Sequence, residues 1–212
     1  MIENTPFEFI YSKVSLSMDI IPVKNTIMNS VTYILYAEDV DYCVLIDCGE
    51  WKSLRPFLEK IGKSVNTVLL THRHSDHIYG LNEVLHNFSN VKVATTNDGH
   101  EEIQDSSKNI SNYHGYPFVV KDYRQIVLCD KQILHFEGFA DIEIMATPDH
   151  DTSCLTYKIG NNLFTGDSYI LGIKPFTKFL RGNKEQALKS MVVLSEIEKQ
   201  GFSIRCGHHS YL

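Results

Sequence analysis

The stretch Val68-Leu69-Leu70-Thr71-His72-Arg73-His74-Ser75-Asp76-His77 places three imidazoles and a carboxylate directly after an apolar run. The apolar run predicts a β-strand, and the polar residues then form the loop that leaves the end of that strand. Imidazole and carboxylate together suit divalent zinc, iron or manganese. A pattern this dense is rarely produced by chance, so it predicts a metal-ligand loop rather than a solvated polar one.

The spacing of these residues allows their side chains to converge. His72 and His74 point the same way if the backbone is still extended, because side chains alternate along a strand. His77 comes about one helical turn after His74, and residues 77–88 predict an amphipathic helix. A strand end that runs into a helix start can therefore direct four ligands into one small volume.

Composition sets the broad class. The chain has 212 residues, 43% of them hydrophobic and 22% charged, which predicts one globular domain over residues 1–212. The formal net charge of -6 argues against a nucleic-acid or anionic-membrane partner and leaves a small molecule as the expected one. We find no signal-peptide pattern at Met1–Pro6 and no run of membrane-spanning length. The five cysteines form no C-x-x-C pair, which favours reduced thiols in a cytoplasmic protein.

The order of predicted elements indicates two mixed sheets with helices outside them. The first half is predicted as β-β-β-α-β-loop-α-β, and the second half as five short strands, a long helix over 182–200 and a last strand over 202–206. The polar stretch 106–116 is predicted to be a loop or a lid.

Further ligand candidates occur where later predicted strands end. His150 follows the strand run 141–146, Asp167 follows Leu163 and Phe164, and His208 follows the last strand. Adjacent residues of a strand face opposite sides, so only one of His208 and His209 can enter the same site.

With these motifs in view, the chain resembles the metallo-β-lactamase-fold superfamily, and within it the short, single-domain hydrolases similar to glyoxalase II. The motifs are Ile46-Asp47-Cys48-Gly49, the His-rich loop from Thr71 to His77, and Gly207-His208. The resemblance covers nearly the whole chain. It implies an αββα sandwich, in which two mixed β-sheets carry helices on their outer faces.

The resemblance also implies a dinuclear site. One divalent ion would be held by His72, His74 and His150, and the other by Asp76, His77 and His208. Asp167 would bridge the two ions, and Asp47 would support the ligand loop. Zinc is the first expectation, with iron or manganese as alternatives. Asp76 and Asp167 are the expected catalytic carboxylates, and a bridging carboxylate argues against a true β-lactamase.

Two departures from the family pattern bear on the substrate. Asp149 stands where the family usually has Gly, and Thr152-Ser153 stands where it has Gly-Ser. Asp149 and Asp151 would add negative charge beside His150. The sequence ends four residues after His208, so no C-terminal substrate-binding domain is expected.

The implied activity is attack of a bridging hydroxide on a small thioester or ester. Tyr169, Lys174 and Arg181 are candidates for contacting the substrate. One alternative is a persulfide dioxygenase with a single iron on His72, His150 and Asp167. Others are a phosphodiesterase or nuclease of the same fold and a non-catalytic scaffold. The acyl group and the oligomeric state stay open.

Overall fold

The computed structural model describes residues 18–174 and 182–209, and they form two mixed β-sheets with helices outside them. The first sheet has the strand order β1 (Met18–Lys24), β2 (Val31–Ala37), β3 (Tyr42–Ile46), β4 (Ser64–Leu69), β5 (Lys92–Thr95), β6 (Arg124–Val127). The second sheet has the order β11 (Ser203–Cys206), β10 (Asn162–Gly166), β9 (Leu155–Ile159), β8 (Ile142–Ala146), β7 (Ile133–Leu134). The predicted αββα class is confirmed.

Both sheets combine parallel and antiparallel pairs. Strands β1, β2 and β3 pair antiparallel, whereas β3 to β6 pair parallel. In the second sheet β10 and β11 are parallel and the other pairs are antiparallel. The carboxyl ends of β3 and β4 therefore lie side by side in one sheet, and those of β10 and β11 lie side by side in the other.

Strands β2 and β3, inside the first sheet, bury both faces, which explains the near-continuous apolar sequence of β3. Cys43 and Leu45 pack in a cluster with the helix residues Leu54 and Leu58, while Val44 and Ile46 pack toward the other sheet. The cluster between the sheets is completed from the second sheet by Ile142, Ile144, Leu155, Tyr157, Ile159 and Phe164.

The described helices are α1 (Trp51–Ile61), α2 (Ser75–Ile78), α3 (Leu81–Asn87), α4 (Asn97–Glu102) and α5 (Lys184–Lys199). None of them is long and apolar enough to cross a bilayer. The stretch 106–116 contains a short 3-10 helix, Ser111–His114, and is tied down by Asn109, whose amide donates to Phe118 O at 2.9 Å. Whether this loop covers a site stays a prediction.

The prediction of one helix over residues 77–88 was wrong. Two short helices, α2 and α3, are separated at Tyr79 and Gly80, and the first begins at Ser75. Gly80 N donates to Cys48 O at 3.0 Å, and a Cβ on Gly80 would lie 2.7 Å from Trp51 N. This close approach of two backbones breaks the helix, and it docks the ligand loop onto the turn that contains Asp47.

Candidate metal centre

The seven side chains expected to bind metal meet at one edge of the two sheets. His72 and His74 follow β4, Asp76 and His77 lie on α2, and His150, Asp167 and His208 follow β8, β10 and β11. Their potential ligand atoms form two groups, each spanning no more than 4.8 Å. The first cluster contains His72, His74, His150 and Asp167, and the second cluster contains Asp76, His77 and His208.

Asp167 lies between the two clusters. Its Oδ1 is 3.4 Å from His77 Nε2 and 3.3 Å from His208 Nε2, and its Oδ2 is 3.8 Å from His72 Nε2. Gly207 makes this approach possible, because a Cβ there would lie 2.6 Å from Asp167 Oδ1 and 2.8 Å from His77 Cε1. The glycine before His208 is therefore a steric requirement of the site.

The Asp47 carboxylate holds the ligand loop from behind. Its two oxygens accept hydrogen bonds from Thr71 N at 2.7 Å, from Thr71 Oγ1 at 2.8 Å and from His77 Nδ1 at 2.8 Å. Asp47 has a left-handed backbone with φ 59°, a conformation that few non-glycine residues adopt and that surrounding contacts must hold. This turn orients both the strand end and the imidazole of His77.

The hydrogen bonds of the Nδ1 atoms fix the tautomers of four histidines. His77 Nδ1 donates to Asp47, His150 Nδ1 to Asp149 at 2.5 Å, and His208 Nδ1 to the carbonyl of Met28 at 2.9 Å. His72 Nδ1 lies 3.0 Å from Thr71 Oγ1, which already donates to Asp47 and so accepts from His72. When neutral, each of these rings therefore carries its hydrogen on Nδ1 and has an unprotonated Nε2, whose lone pair can bind a metal.

The bare nitrogens face other acceptors, so the geometry calls for cations between them. His77 Nε2 and His208 Nε2 are 3.2 Å apart, with Asp76 Oδ2 at 3.5 and 3.4 Å from them. The buried Nε2 of His72 has no hydrogen-bond partner among the described residues. Lone pairs that face each other at these distances repel unless protons or metal ions lie between them. The donor set of imidazoles and carboxylates fits zinc, iron or manganese.

The carboxylates and imidazoles of the second cluster shift one another's pKa values. Burial lowers the pKa of His77, but the carboxylates of Asp76, Asp167 and Asp47 outweigh it and hold that pKa well above its usual value. Burial raises the pKa of Asp167, but the His77 and His208 imidazoles outweigh it and hold that pKa well below its usual range. The second cluster therefore concentrates negative charge that a cation would neutralise.

The first cluster stays neutral more readily. Burial, reinforced by neighbouring imidazoles, lowers the pKa of both His72 and His74 well below the usual value. These two rings are therefore deprotonated and available as ligands at neutral pH. Burial also lowers the pKa of His150, but its hydrogen bond to Asp149 outweighs this and raises it.

Sequence reasoning missed the buried charges behind the ligands. Arg73 lies between two ligand histidines in sequence, and its Nε is 2.7 Å from Asp151 Oδ2 and 2.8 Å from Glu102 Oε2. Its Nη2 also pairs with Asp151. All three side chains are buried, and Arg73 is the one buried lysine or arginine among the described residues. Its position inside the His motif was the available signal.

The expected substrate contacts are less well placed than the ligands. The Tyr169 hydroxyl donates to Glu198 Oε2 at 2.6 Å and so is engaged with α5. Lys174 is exposed. Arg181 lies outside the described residues. His209, the competitor of His208, is exposed, and its neighbour is the one that joins the second cluster.

Comparisons with known proteins agree with this geometry. The model of the metallo-beta-lactamase superfamily matches residues 27–211. A hydroxyacylglutathione hydrolase of Enterobacter sp. (strain 638) is 27% identical over 175 residues, which cover 82% of this chain and 60% of that relative. This chain thus spans less than two thirds of that relative's length.

Two solved structures show the same fold at low identity. The B3 metallo-beta-lactamase BLEG-1 superposes with a TM-score of 0.79 at 22% identity, over 90% of this chain and 92% of the other. TTHA1623 in a di-iron-bound form gives a TM-score of 0.75 at 17% identity, over 89% and 92% of the two chains.

Proposed function

The chain belongs to the metallo-beta-lactamase superfamily, and from that premise we propose that it is a metal-dependent hydrolase acting on a small thioester or ester, similar to glyoxalase II. The observation that carries this proposal is the convergence of bare Nε2 atoms on the Asp167 carboxylate. The first cluster would hold one divalent ion and the second cluster another, with zinc the first expectation. Asp167 would contact both.

Bound divalent ions would supply hydroxide at neutral pH and would stabilise the negative charge that develops on the reacting atoms. The residues of the chain keep the site ready for this chemistry. Asp47, Asp149 and the Met28 carbonyl fix which ring nitrogen each histidine presents. Asp76 and Asp167 would provide the ligand carboxylates, and their negative charge would keep the cations in place.

A substrate would approach from the side of Asp167 and His208. Their side chains are 20% and 17% exposed, whereas that of His72 is 1% exposed. Two divalent cations would outweigh the two ligand carboxylates and favour an anionic or carbonyl-bearing molecule. A thioester suits such a site because its thiolate leaving group needs no acid from the protein. The hydroxyacylglutathione hydrolase relatives support the same class.

Metal analysis of the purified chain together with a substrate panel tests the proposal. We expect about two zinc ions per chain, the number a two-metal site requires, and hydrolysis of S-lactoylglutathione, an acyl-CoA or a lactone. Asp167→Asn should lose one ion and most of the activity. Asp130→Asn, at an exposed carboxylate, should keep two ions and wild-type activity. Zinc-loaded protein that cleaves no ester or thioester but hydrolyses cyclic nucleotides would contradict the proposed substrate class.

A persulfide dioxygenase with one iron on His72, His150 and Asp167 is the second candidate. The first cluster alone contains that ligand set. The second cluster is nevertheless complete, with His77 and His208 nitrogens facing Asp76 and Asp167, and this favours two ions. One iron per chain with oxygen uptake on glutathione persulfide would establish the second candidate instead.

We also propose a reducing compartment, and specifically the cytoplasm, for this enzyme. All five cysteines are free, and Cys43, Cys48 and Cys154 are buried. Burial raises the pKa of Cys48 and Cys154, which keeps both as unreactive thiols. Thiol counting on protein denatured directly from cells tests this, because five free thiols are expected.

A further inference from the structure

Asp149 directly precedes the ligand His150. Its carboxylate contacts the His150 imidazole and the Cys154 thiol in addition to the backbone of the turn. Its Oδ1 is 2.5 Å from His150 Nδ1 and also accepts from the backbone N–H of His150. The Cys154 thiol donates to the same oxygen at 3.1 Å. Asp149 is 2% exposed, so its carboxylate is buried beside the imidazole and is not solvated by bulk water.

The backbone around Asp149 is held by contacts from α5 and by one hydrogen bond within its own loop. Asn183, which caps α5, donates its N–H to Asp149 O at 2.9 Å, and Ser190 Oγ of α5 donates to Pro148 O at 2.9 Å. Asp149 N donates to Asp151 O at 3.2 Å. Because the main chain is fixed on both sides, the Asp149 carboxylate has a defined position behind the His150 ring.

The same arrangement occurs in the second cluster. Asp47 Oδ2 accepts from His77 Nδ1 at 2.8 Å, so each cluster contains one imidazole backed by a buried carboxylate. A carboxylate behind a ligand histidine fixes the tautomer and the ring orientation, and it makes the opposite nitrogen a stronger donor to a metal.

We propose that Asp149 is a positioning residue that holds Nε2 of His150 toward the first cluster and tightens metal binding there. This inference rests on the proposed function, because it assumes that the first cluster binds a divalent ion. It assigns to this chain a carboxylate–histidine pair in the first cluster that matches the Asp47–His77 pair in the second. The two sites then differ in which carboxylate controls their affinity.

An ion held by Asp149, His150 Nδ1 and Cys154 explains the contacts less well. These atoms lie within 4.8 Å of one another. The 2.5 Å between Asp149 Oδ1 and His150 Nδ1 is nevertheless a hydrogen-bond distance. Two ligands each about 2.0–2.2 Å from one tetrahedral zinc would lie farther apart. Oδ1 of Asp149 therefore acts on the imidazole and not on an ion of its own.

Stepwise titration of the metal-free full-length protein with Co²⁺, followed by visible absorption and calorimetry, tests the proposal. Wild type should bind two equivalents. Asp149→Asn should bind one equivalent as wild type does and the other about 10–100-fold more weakly. Asp47→Asn should weaken the second-cluster site most, because its carboxylate contacts the His77 imidazole directly, so the two variants should lose different absorption bands. Asp130→Asn is the matched control, because its carboxylate is exposed and accepts from Ala146 N at 2.8 Å, away from both clusters, and it should titrate like wild type.

The thermal midpoint of the metal-free proteins separates positioning from a general structural role. Under the proposal, Asp149→Asn and Asp130→Asn have similar metal-free midpoints, and only the former loses cobalt affinity. Equal weakening of both sites in Asp149→Asn, together with a lower metal-free midpoint, would overturn the proposal. Unchanged titration of Asp149→Asn would overturn it as well and leave the proposed function standing. Wild type that binds no Co²⁺ or Zn²⁺ would overturn both.

Discussion

The two sides of the metal centre are held by different kinds of contact. On the first-cluster side, the loops that carry His72, His74 and His150 are joined by the buried charges of Arg73, Asp151 and Glu102. On the second-cluster side, most of the supporting contacts are hydrogen bonds to backbone groups. Ser30 Oγ donates to Asp76 O at 2.7 Å, and the Met28 carbonyl accepts from His208 at 2.9 Å.

The difference follows from which strands precede the loops of each cluster. The first cluster joins loops that follow β4 of the first sheet and β8 of the second. Among the described residues, the backbone bond from Leu155 N to Thr71 O at 2.8 Å and the buried pair of Arg73 and Asp151 bridge the two sheets there. The second cluster is stitched by backbone pairing, since Val31 N donates to Gly207 O at 2.7 Å and Ser30 pairs with His208. Removing a buried charge beside the first cluster should therefore lower the free energy of unfolding by a large amount. Removing one hydrogen bond beside the second cluster should lower it by less.

The largest expected effect comes from removing the buried cation. Arg73→Met keeps an apolar stem but leaves Asp151 and Glu102 without their arginine, so we expect a loss of about 3–5 kcal/mol in the free energy of unfolding. Urea unfolding with a chelator present measures this without any metal contribution. Arg55→Met, at an exposed pair with Glu59 at 2.7 Å, should change stability by about 1 kcal/mol or less.

Equal effects of the two arginine variants would break the comparison. In that case the first-cluster side would not depend on its buried charges, and the two sides of the centre would be held alike.

Metal binding itself should add stability on each side. Zinc at about a hundredfold excess over its dissociation constant raises the free energy of unfolding by about 2.7 kcal/mol for each site that it fills. Wild type should gain this increment twice, and His208→Ala should gain it once, because the first cluster keeps its three histidines. Urea unfolding with zinc or with a chelator measures the increments, and two increments in His208→Ala would show that His208 is not a ligand.

The residues of the two clusters could be predicted from the sequence, because candidate metal ligands are recognised by residue type and by their position at strand ends. Histidines and aspartates at the ends of apolar runs predicted all seven members of the two clusters, and the predicted fold is confirmed. The break between α2 and α3 was missed, since it results from the backbone of Gly80 approaching Gly49 and Trp51, a contact between segments distant in sequence.

The supporting contacts were harder to predict for the same reason. Arg73 reaches Asp151 across 78 residues, and His208 reaches Met28 across 180. Local pattern carries no information about such pairs. Asp149 and Asp151 were visible only as extra charge beside His150, and their opposite orientations, one toward the imidazole and one toward Arg73, depend on the folded loop.

Glu50 offers a pH-dependent test of the second-cluster side. Its carboxylate accepts from Thr26 N at 2.7 Å and from Ser53 Oγ at 3.1 Å, and so ties the loop before Met28 to the start of α1. Burial raises the pKa of Glu50, but the hydrogen bonds from Thr26 outweigh it and lower the pKa from 4.5. Its contribution to stability is therefore present above the unfolded pKa and is lost as the pH falls through the folded one.

Glu50→Gln should cost about 1.5–3 kcal/mol at neutral pH, the value of a hydrogen bond to a charged group. The gap between variant and wild type should narrow as the pH falls below about 4.5, because the unfolded wild-type chain then takes up a proton on this carboxylate before the folded protein does. Urea unfolding of both proteins with a chelator, at neutral pH and near pH 4, measures the gap. A gap that stays constant would show that the Glu50 charge does not hold this side.

The smallest expected effect separates support of the centre from contact with a substrate. The Tyr169 hydroxyl donates to Glu198 at 2.6 Å, and this bond raises the pKa of Tyr169 to about 12. Tyr169→Phe should therefore lose about 0.5–1 kcal/mol of stability and leave the KM for a thioester unchanged. Lys174→Ala, at an exposed cation on the same segment, should raise the KM for an anionic substrate and leave stability unchanged. If Tyr169→Phe raises KM instead, the hydroxyl leaves Glu198 for the substrate, and the entrance beside Asp167 rearranges when the substrate binds.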